Sequence, residues 1–190
     1  IRGAGNLLGD EQSGHIREVG IELYQQMLED AVAAARADGG AAPHAAEWSP
    51  TISLGLSVLL PEAYVPDLGV RLGLYRRLGD LADRAALDAF AAELVDRFGP
   101  LPDEVNNLLE VVAIKQLCRA AGVERVEAGP KGAVIAFRDN AFANPAKLVA
   151  YIARQGTAFK LRPDHRLVYR RNWETPADRL VGVRDLTRAL

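Results

Sequence analysis

Two stretches of this 190-residue sequence carry side chains whose types and spacing could do chemistry. The first is "IRGAGNLLGDEQSG" (1–14), where Arg2 and Gln12 bracket a glycine-rich turn with Gly3, Gly5 and Gly9, and Gly14 follows. A guanidinium and a carboxamide in that setting can form a forked hydrogen-bonding unit, because glycines let two backbones approach closely. An ordinary loop closed by polar side chains is the other reading. The second is "LDAFAAELVDRF" (87–98), in which Glu93 and Asp96 stand at i, i+3 with Ala89 and Ala92 beside them. Leu87, Phe90, Ala91, Leu94 and Phe98 form an apolar stripe on the opposite side at helical spacing. The small alanines leave the two carboxylates on a flat, approachable patch. A plainly solvated acidic face accounts for the same pattern.

Other chemistries find no footing. The sequence has no GxxxxGK[ST] loop to cradle phosphates, so it cannot bind a nucleotide in that way on its own. "GAGNLLG" (3–9) approaches a GxGxxG pattern, but its third glycine falls one place late and no strand pattern precedes it. His15, His44 and His165 are far apart and lack partners at metal-ligand spacing. The single cysteine, Cys118, excludes a disulfide framework and a thiolate zinc cluster, and its leucine-rich surroundings predict a buried structural thiol. No nucleophile-elbow context is present. No catalytic, cofactor or metal site is therefore expected within this chain.

A net charge of −2 gives no global basic field. A DNA-binding role would need Arg71, Arg76, Arg77, Arg162, Arg166, Arg170 and Arg171 to cluster on one face, against acidic residues that balance them overall. No run approaches the ~18 apolar residues of a membrane span and no signal-peptide pattern occurs. A cytoplasmic setting is the default.

The elements that must position these residues are legible from period and punctuation. Hydrophobic content of 49% and charged content of 25% describe a foldable chain, one domain with an extra segment or two small domains. Apolar residues recur at helical spacing from Gly20 to about Arg36, and "DGGAAPHAAEWSP" (38–50) then reads as a linker. "TISLGLSVLLP" (51–61) alternates like a strand. Three helices are predicted, at 67–81, 85–98 and from Pro102 to Gly122, the first apolar on two sides and therefore central. "VERVEAGPKGAVIAF" (123–137) reads as two strands about a Gly-Pro-Lys-Gly turn. A short helix follows at 144–155, with Asn144 as cap and Pro145 in its first position. A second hairpin flanks "RPDH", and Thr175-Pro176 opens a last helix. Helices and antiparallel hairpins in separate blocks predict an α+β fold, helices packed with a small antiparallel sheet. With no methionine at position 1 and Met27 the only one, the sequence is expected to be a piece of a longer protein.

"IRGAGNLLGDEQSGHIREVGIELYQQMLEDAV" (1–32) resembles the end of the second motor domain of bacterial transcription-repair coupling factors, and branched-DNA helicases share a looser version. "LPEAYVPDLGVRLGLYRRL", "ELVDRFGPLPDEVNNLL" and "RVEAGPKGAVIAF" resemble the C-terminal domain of the same family, and these segments are absent from the branched-DNA helicases. The resemblance implies that residues 1–37 end an ATP-dependent DNA translocase motor and carry its translocation motif, with Arg2 and Gln12 in the matching positions. It implies that 51–190 is a regulatory domain, 38–50 being the linker. In that family the domain packs on an N-terminal module similar to the excinuclease B component. It masks the surface that recruits the excinuclease A component until the motor engages a stalled RNA polymerase. The pair matching Glu93 and Asp96 there faces arginines of the N-terminal module. ATP and magnesium would belong to the motor site missing from this chain, and duplex DNA and nucleotide excision repair to the parent. A DNA-binding accessory module of a branched-DNA helicase is the alternative function.

Overall fold

The computed structural model describes residues 48–190. The glycine-rich turn with Arg2, Gly3, Gly5, Gly9, Gln12 and Gly14, the helix expected over 20–36 and most of the linker lie outside them. In chain order the elements are β1 (Thr51–Ser53), α1 (Leu68–Asp80), α2 (Arg84–Phe98), α3 (Asp103–Ala121), β2 (Val123–Gly129), β3 (Gly132–Phe137), α4 (Pro145–Gln155), β4 (Phe159–Leu161), β5 (Leu167–Arg170) and α5 (Pro176–Ala189). The fold is α+β.

Local chemistry sets most boundaries. The carboxylates of Asp67 and Asp83 accept from the Val70 and Ala86 amides, capping α1 and α2. Asn144 does the same for Lys147 at the start of α4. Thr175 and Asp178 form a reciprocal capping box on α5. Gly122 ends α3 at φ +67, the left-handed geometry a glycine adopts without steric cost.

The strands form a five-stranded sheet in the order β1-β2-β3-β5-β4, with β1 parallel to β2 and the remaining pairs antiparallel. Val126, Ile135 and Leu167 align across the inner face, and Phe159 lies opposite Tyr169 one register step away. All five are buried. Phe159 and Tyr169 stack at 4.4 Å, and Trp173 meets Tyr169 edge-on at 5.9 Å.

Two apolar clusters make the core, and α3 belongs to both. Val111, Ile114, Cys118 and Ala121 pack into the cluster built on the sheet, α4 and α5. Val105, Leu108, Leu109, Val112 and Ala113 pack with α1, α2 and the 60–65 loop. This corrects the expectation that the 67–81 helix is central. Only Leu74 and Leu78 of α1 are buried and Leu68 is exposed, whereas α3 buries ten residues around most of its circumference. Apolar residues on two sides of α1 proved to be one buried side and one grazing it.

The strand expected over 51–61 is also shorter, pairing only through Ser53. Gly55 turns the chain at φ +65. Beyond it, Leu56 and Val58 reach the core from a loop that donates no ladder hydrogen bonds, with Val58 touching both clusters.

Candidate interaction surface

The α2 stripe is buried as its spacing predicts. Leu87, Phe90 and Leu94 enter the helical cluster, with Ala91 and Phe98 packed at its margin. Leu74 and Leu78 of α1 join the same cluster, so α1 packs beside this stripe. Arg77 precedes Leu78 by one position and so reaches along the surface toward α2. Its guanidinium meets Glu93 end-on, Nη1 donating to Oε1 at 2.7 Å and Nη2 to Oε2 at 2.5 Å. Arg97, one turn beyond Glu93, donates to Oε1 at 2.9 Å. Both guanidinium groups also rest on aromatic rings, Arg77 over Phe90 at 5.1 Å and Arg97 over Phe98 at 4.9 Å.

Glu93 is therefore clasped within the domain. The Arg77 hydrogen bonds, then that of Arg97, lower its carboxyl from an ordinary 4.5 to about 2. Its side chain keeps 33% exposure and those of Arg77 and Arg97 keep 50% and 43%, so the cluster is at the surface. Asp96 differs. It is exposed, and it has no ion pair among the described residues. The two carboxylates of the expected acidic patch thus share the surface with two guanidinium groups, and the patch is close to neutral. The Glu93–Arg97 half of this is visible in the sequence as an i, i+4 acid–base pair. The Arg77 half joins two helices across a turn and has no local signature.

The turn carrying Asp96 is pinned from below. The Tyr64 hydroxyl lies 3.1 Å from the Leu94 carbonyl and 2.9 Å from that of Gly99, to which it donates, and its ring packs against Phe98 at 5.8 Å. Ala89 and Ala92 are exposed near Asp96, as is much of Val95, so small and apolar surface adjoins this carboxylate on one side.

The candidate basic residues do not form one face. Arg71 donates to the Val65 and Pro66 carbonyls at 2.7 and 3.2 Å, bracing the loop before α1. Arg77 is held by Glu93, and Arg76 is exposed. On the sheet, Lys160 and Arg170 alternate with the buried Phe159, Leu167 and Tyr169 and so lie on the outer face. Arg162 and Arg166 flank them, Arg166 beside Asp164 at 3.7 Å.

Cys118 is fully buried, and burial pushes its thiol up to about 12, as a structural thiol requires. His165 occupies the β4–β5 turn, whereas His15 and His44 lie outside the described residues. Among the described residues no three His, Cys, Asp or Glu side chains gather as metal ligands, and no helix is long and apolar enough to cross a membrane.

Comparison with known proteins identifies the family. A family model, the TRCF domain, matches residues 54–148, half of the chain. The transcription-repair-coupling factor of Rickettsia conorii is 44% identical over 169 residues, covering 89% of this chain and 15% of that protein. That of Escherichia coli is 34% identical over 193 residues, covering the whole of this chain and 17% of that protein. The chain thus spans about a sixth of the length of these relatives. Among solved structures, a crystal structure of the C-terminal domain of transcription-repair coupling factor matches with a TM-score of 0.55 at 19% identity. The match covers 76% of this chain and 95% of that one, a likeness of fold. With α1 to α3 and the β2–β3 hairpin inside the matched span, the chain belongs to the TRCF domain family, the C-terminal domain of transcription-repair coupling factors.

Proposed function

We propose that residues 51–190 act as a regulatory interaction domain of an ATP-dependent DNA translocase that couples stalled transcription to nucleotide excision repair. The domain closes on an N-terminal module similar to the excinuclease B component and keeps the excinuclease A component from binding there. Closure is released when the motor engages RNA polymerase. The observation that carries this reading is Asp96, an exposed carboxylate with no ion pair among the described residues, on a helix turn fixed by Tyr64 and beside the small side chains of Ala89 and Ala92. A partner arginine could reach it without disturbing the core.

Residues 1–37 belong to the motor in this reading, with Arg2 and Gln12 transmitting its closing motion and Gly3, Gly5, Gly9 and Gly14 shaping the turn. ATP and magnesium are held elsewhere in the parent, since this sequence has no phosphate-cradling loop to fit them. The setting is cytoplasmic.

The energetics are modest. A tethered contact experiences an effective concentration on the order of 1 mM. With an intrinsic dissociation constant of roughly 10 μM it is about 99% closed. Losing a charge pair that becomes buried in the interface typically costs about 2–5 kcal/mol, enough to open it. In the full-length protein, Glu93→Lys with Asp96→Lys should therefore raise affinity for the excinuclease A component, and higher salt should act the same way more weakly. Unchanged affinity in the double variant would overturn the reading.

A second reading, a DNA-binding accessory module, has one observation in its favour, the gathering of Lys160, Arg162, Arg166 and Arg170 about the outer face of the sheet. Duplex binding by the isolated chain with a steep salt dependence would support it, because each phosphate contact releases counterions. Absence of binding at low salt would eliminate it.

A further inference from the structure

Glu93 meets a partner's arginine, in the reading above, on a carboxylate already engaged by two guanidinium groups of its own domain. A carboxylate offers about four lone-pair sites. Arg77 takes one on each oxygen and Arg97 takes another on Oε1, which leaves a single position on Oε2. An incoming guanidinium cannot make a two-bond contact to both oxygens while Arg77 holds that edge. It also approaches a carboxylate flanked by two positive charges, at a surface where each is half-exposed.

We infer that Arg77 is an internal competitor for the partner's arginine, occupying on α1 the place the partner would take on Glu93. Rupture of the clasp is the step that precedes a full interdomain contact. This rests on the proposed closure of the domain on its N-terminal module and assigns the regulation of that same surface. Two features make exchange feasible. Arg77 already lies over the Phe90 ring at 5.1 Å, so on leaving Glu93 it keeps a resting place. The pair is surface-exposed, where charge pairs contribute little net stability and exchange with solvent readily. Asp96, with no ion pair among the described residues, captures the incoming arginine first, and Glu93 follows once Arg77 lets go. The open and closed states of the parent are then set against each other by one guanidinium, and the contact is weaker than its two carboxylates alone would make it.

The test is the affinity of this chain for the N-terminal module of the full-length protein, supplied as a separate polypeptide at about 150 mM salt. Arg77→Gln removes the competitor and should tighten binding about three- to tenfold, the range expected for freeing one exposed charge pair and removing one like charge. Arg77→Lys keeps the charge but loses the planar fork and should fall between the two. Arg76→Gln, the same charge change one position away with no contact to Glu93, should alter affinity less than about twofold. Thermal melts of each variant check the fold, and Arg77→Lys carries the comparison if Arg77→Gln is poorly folded. If Asp96→Lys abolishes binding while Arg77→Gln binds no more tightly than the unaltered chain, the inference fails and the closure reading stands. If Asp96→Lys binds unchanged, or the unaltered chain does not bind, the closure reading fails and the inference falls with it.

Discussion

Glu93 joins α1 to α2 through Arg77, so its protonation is a stability event as well as an interface event. Its carboxyl titrates near 2 in the folded domain and near 4.5 when the arginines are gone. A depressed folded pKa means that the unfolded state binds the proton more readily, so the contribution is complete above about pH 4.5 and disappears as pH falls through about 2. Glu93→Gln keeps the shape but cannot ionise. The difference in stability between the unaltered domain and Glu93→Gln should be constant from pH 7 to pH 5 and then narrow steadily, closing near pH 2. Paired urea titrations across that range measure it. A difference that persists undiminished at pH 2 would show that the clasp works by packing on Phe90 rather than by charge.

Helix boundaries in this chain are set by residues adjacent in sequence, which is why the amino-acid order alone reveals them. Asn144 before Pro145, Thr175 before Pro176 and Gly122 after a leucine-rich run are each complete signals within four residues. The β2–β3 hairpin is similarly local, closing where Gly129 pairs with Gly132, although the need for glycine at 132, at φ +124 against the Tyr169 carbonyl, comes from distant β5. What stayed hidden depends on distant partners. The alternation through 51–61 continues past Ser53, but only the parallel contact with β2, some seventy residues on, decides where pairing stops. The stripe of α2 and the position of Asp96 were legible from spacing, whereas the neutralisation of Glu93 by a residue of the preceding helix was not. The capping box on α5 gives this scale its test. Thr175→Ala removes the side-chain acceptor of the Asp178 amide and the hydroxyl donor to its carboxylate, at 3.1 and 2.8 Å. It should cost about 1 kcal/mol in urea denaturation, with Thr175→Ser recovering most of it. Equal stability of Thr175→Ala would show that packing of Leu180, Val183 and Leu186 alone holds the helix.

Across the whole molecule, α3 is the wall between a helical layer and a sheet layer, and neither layer has a core without it. Ile114 and Cys118 face the sheet cluster, while Leu108 and Val105 face α1 and α2, all four inaccessible to solvent. A helix shared in this way transmits a defect on one side to the other, because losing its helical-layer contacts removes the support on which the sheet residues pack. The two layers should therefore unfold together. Trp48 and Trp173 are the tryptophans of the chain, Trp173 buried in the sheet cluster and Trp48 beside Arg138 just after β3, so fluorescence reports the sheet side. Far-ultraviolet dichroism is dominated by the helices. In guanidinium titrations the two signals should give coincident midpoints. Leu108→Ala, cut into the helical layer, should lower both midpoints by the same amount, corresponding to about 2–5 kcal/mol. A fluorescence midpoint that stays in place while the dichroism shifts would mean two independently stable layers. A domain built that way could close on a partner with its helical layer while its sheet layer moved separately, whereas a single cooperative body carries the α2 surface and the sheet together as one rigid unit.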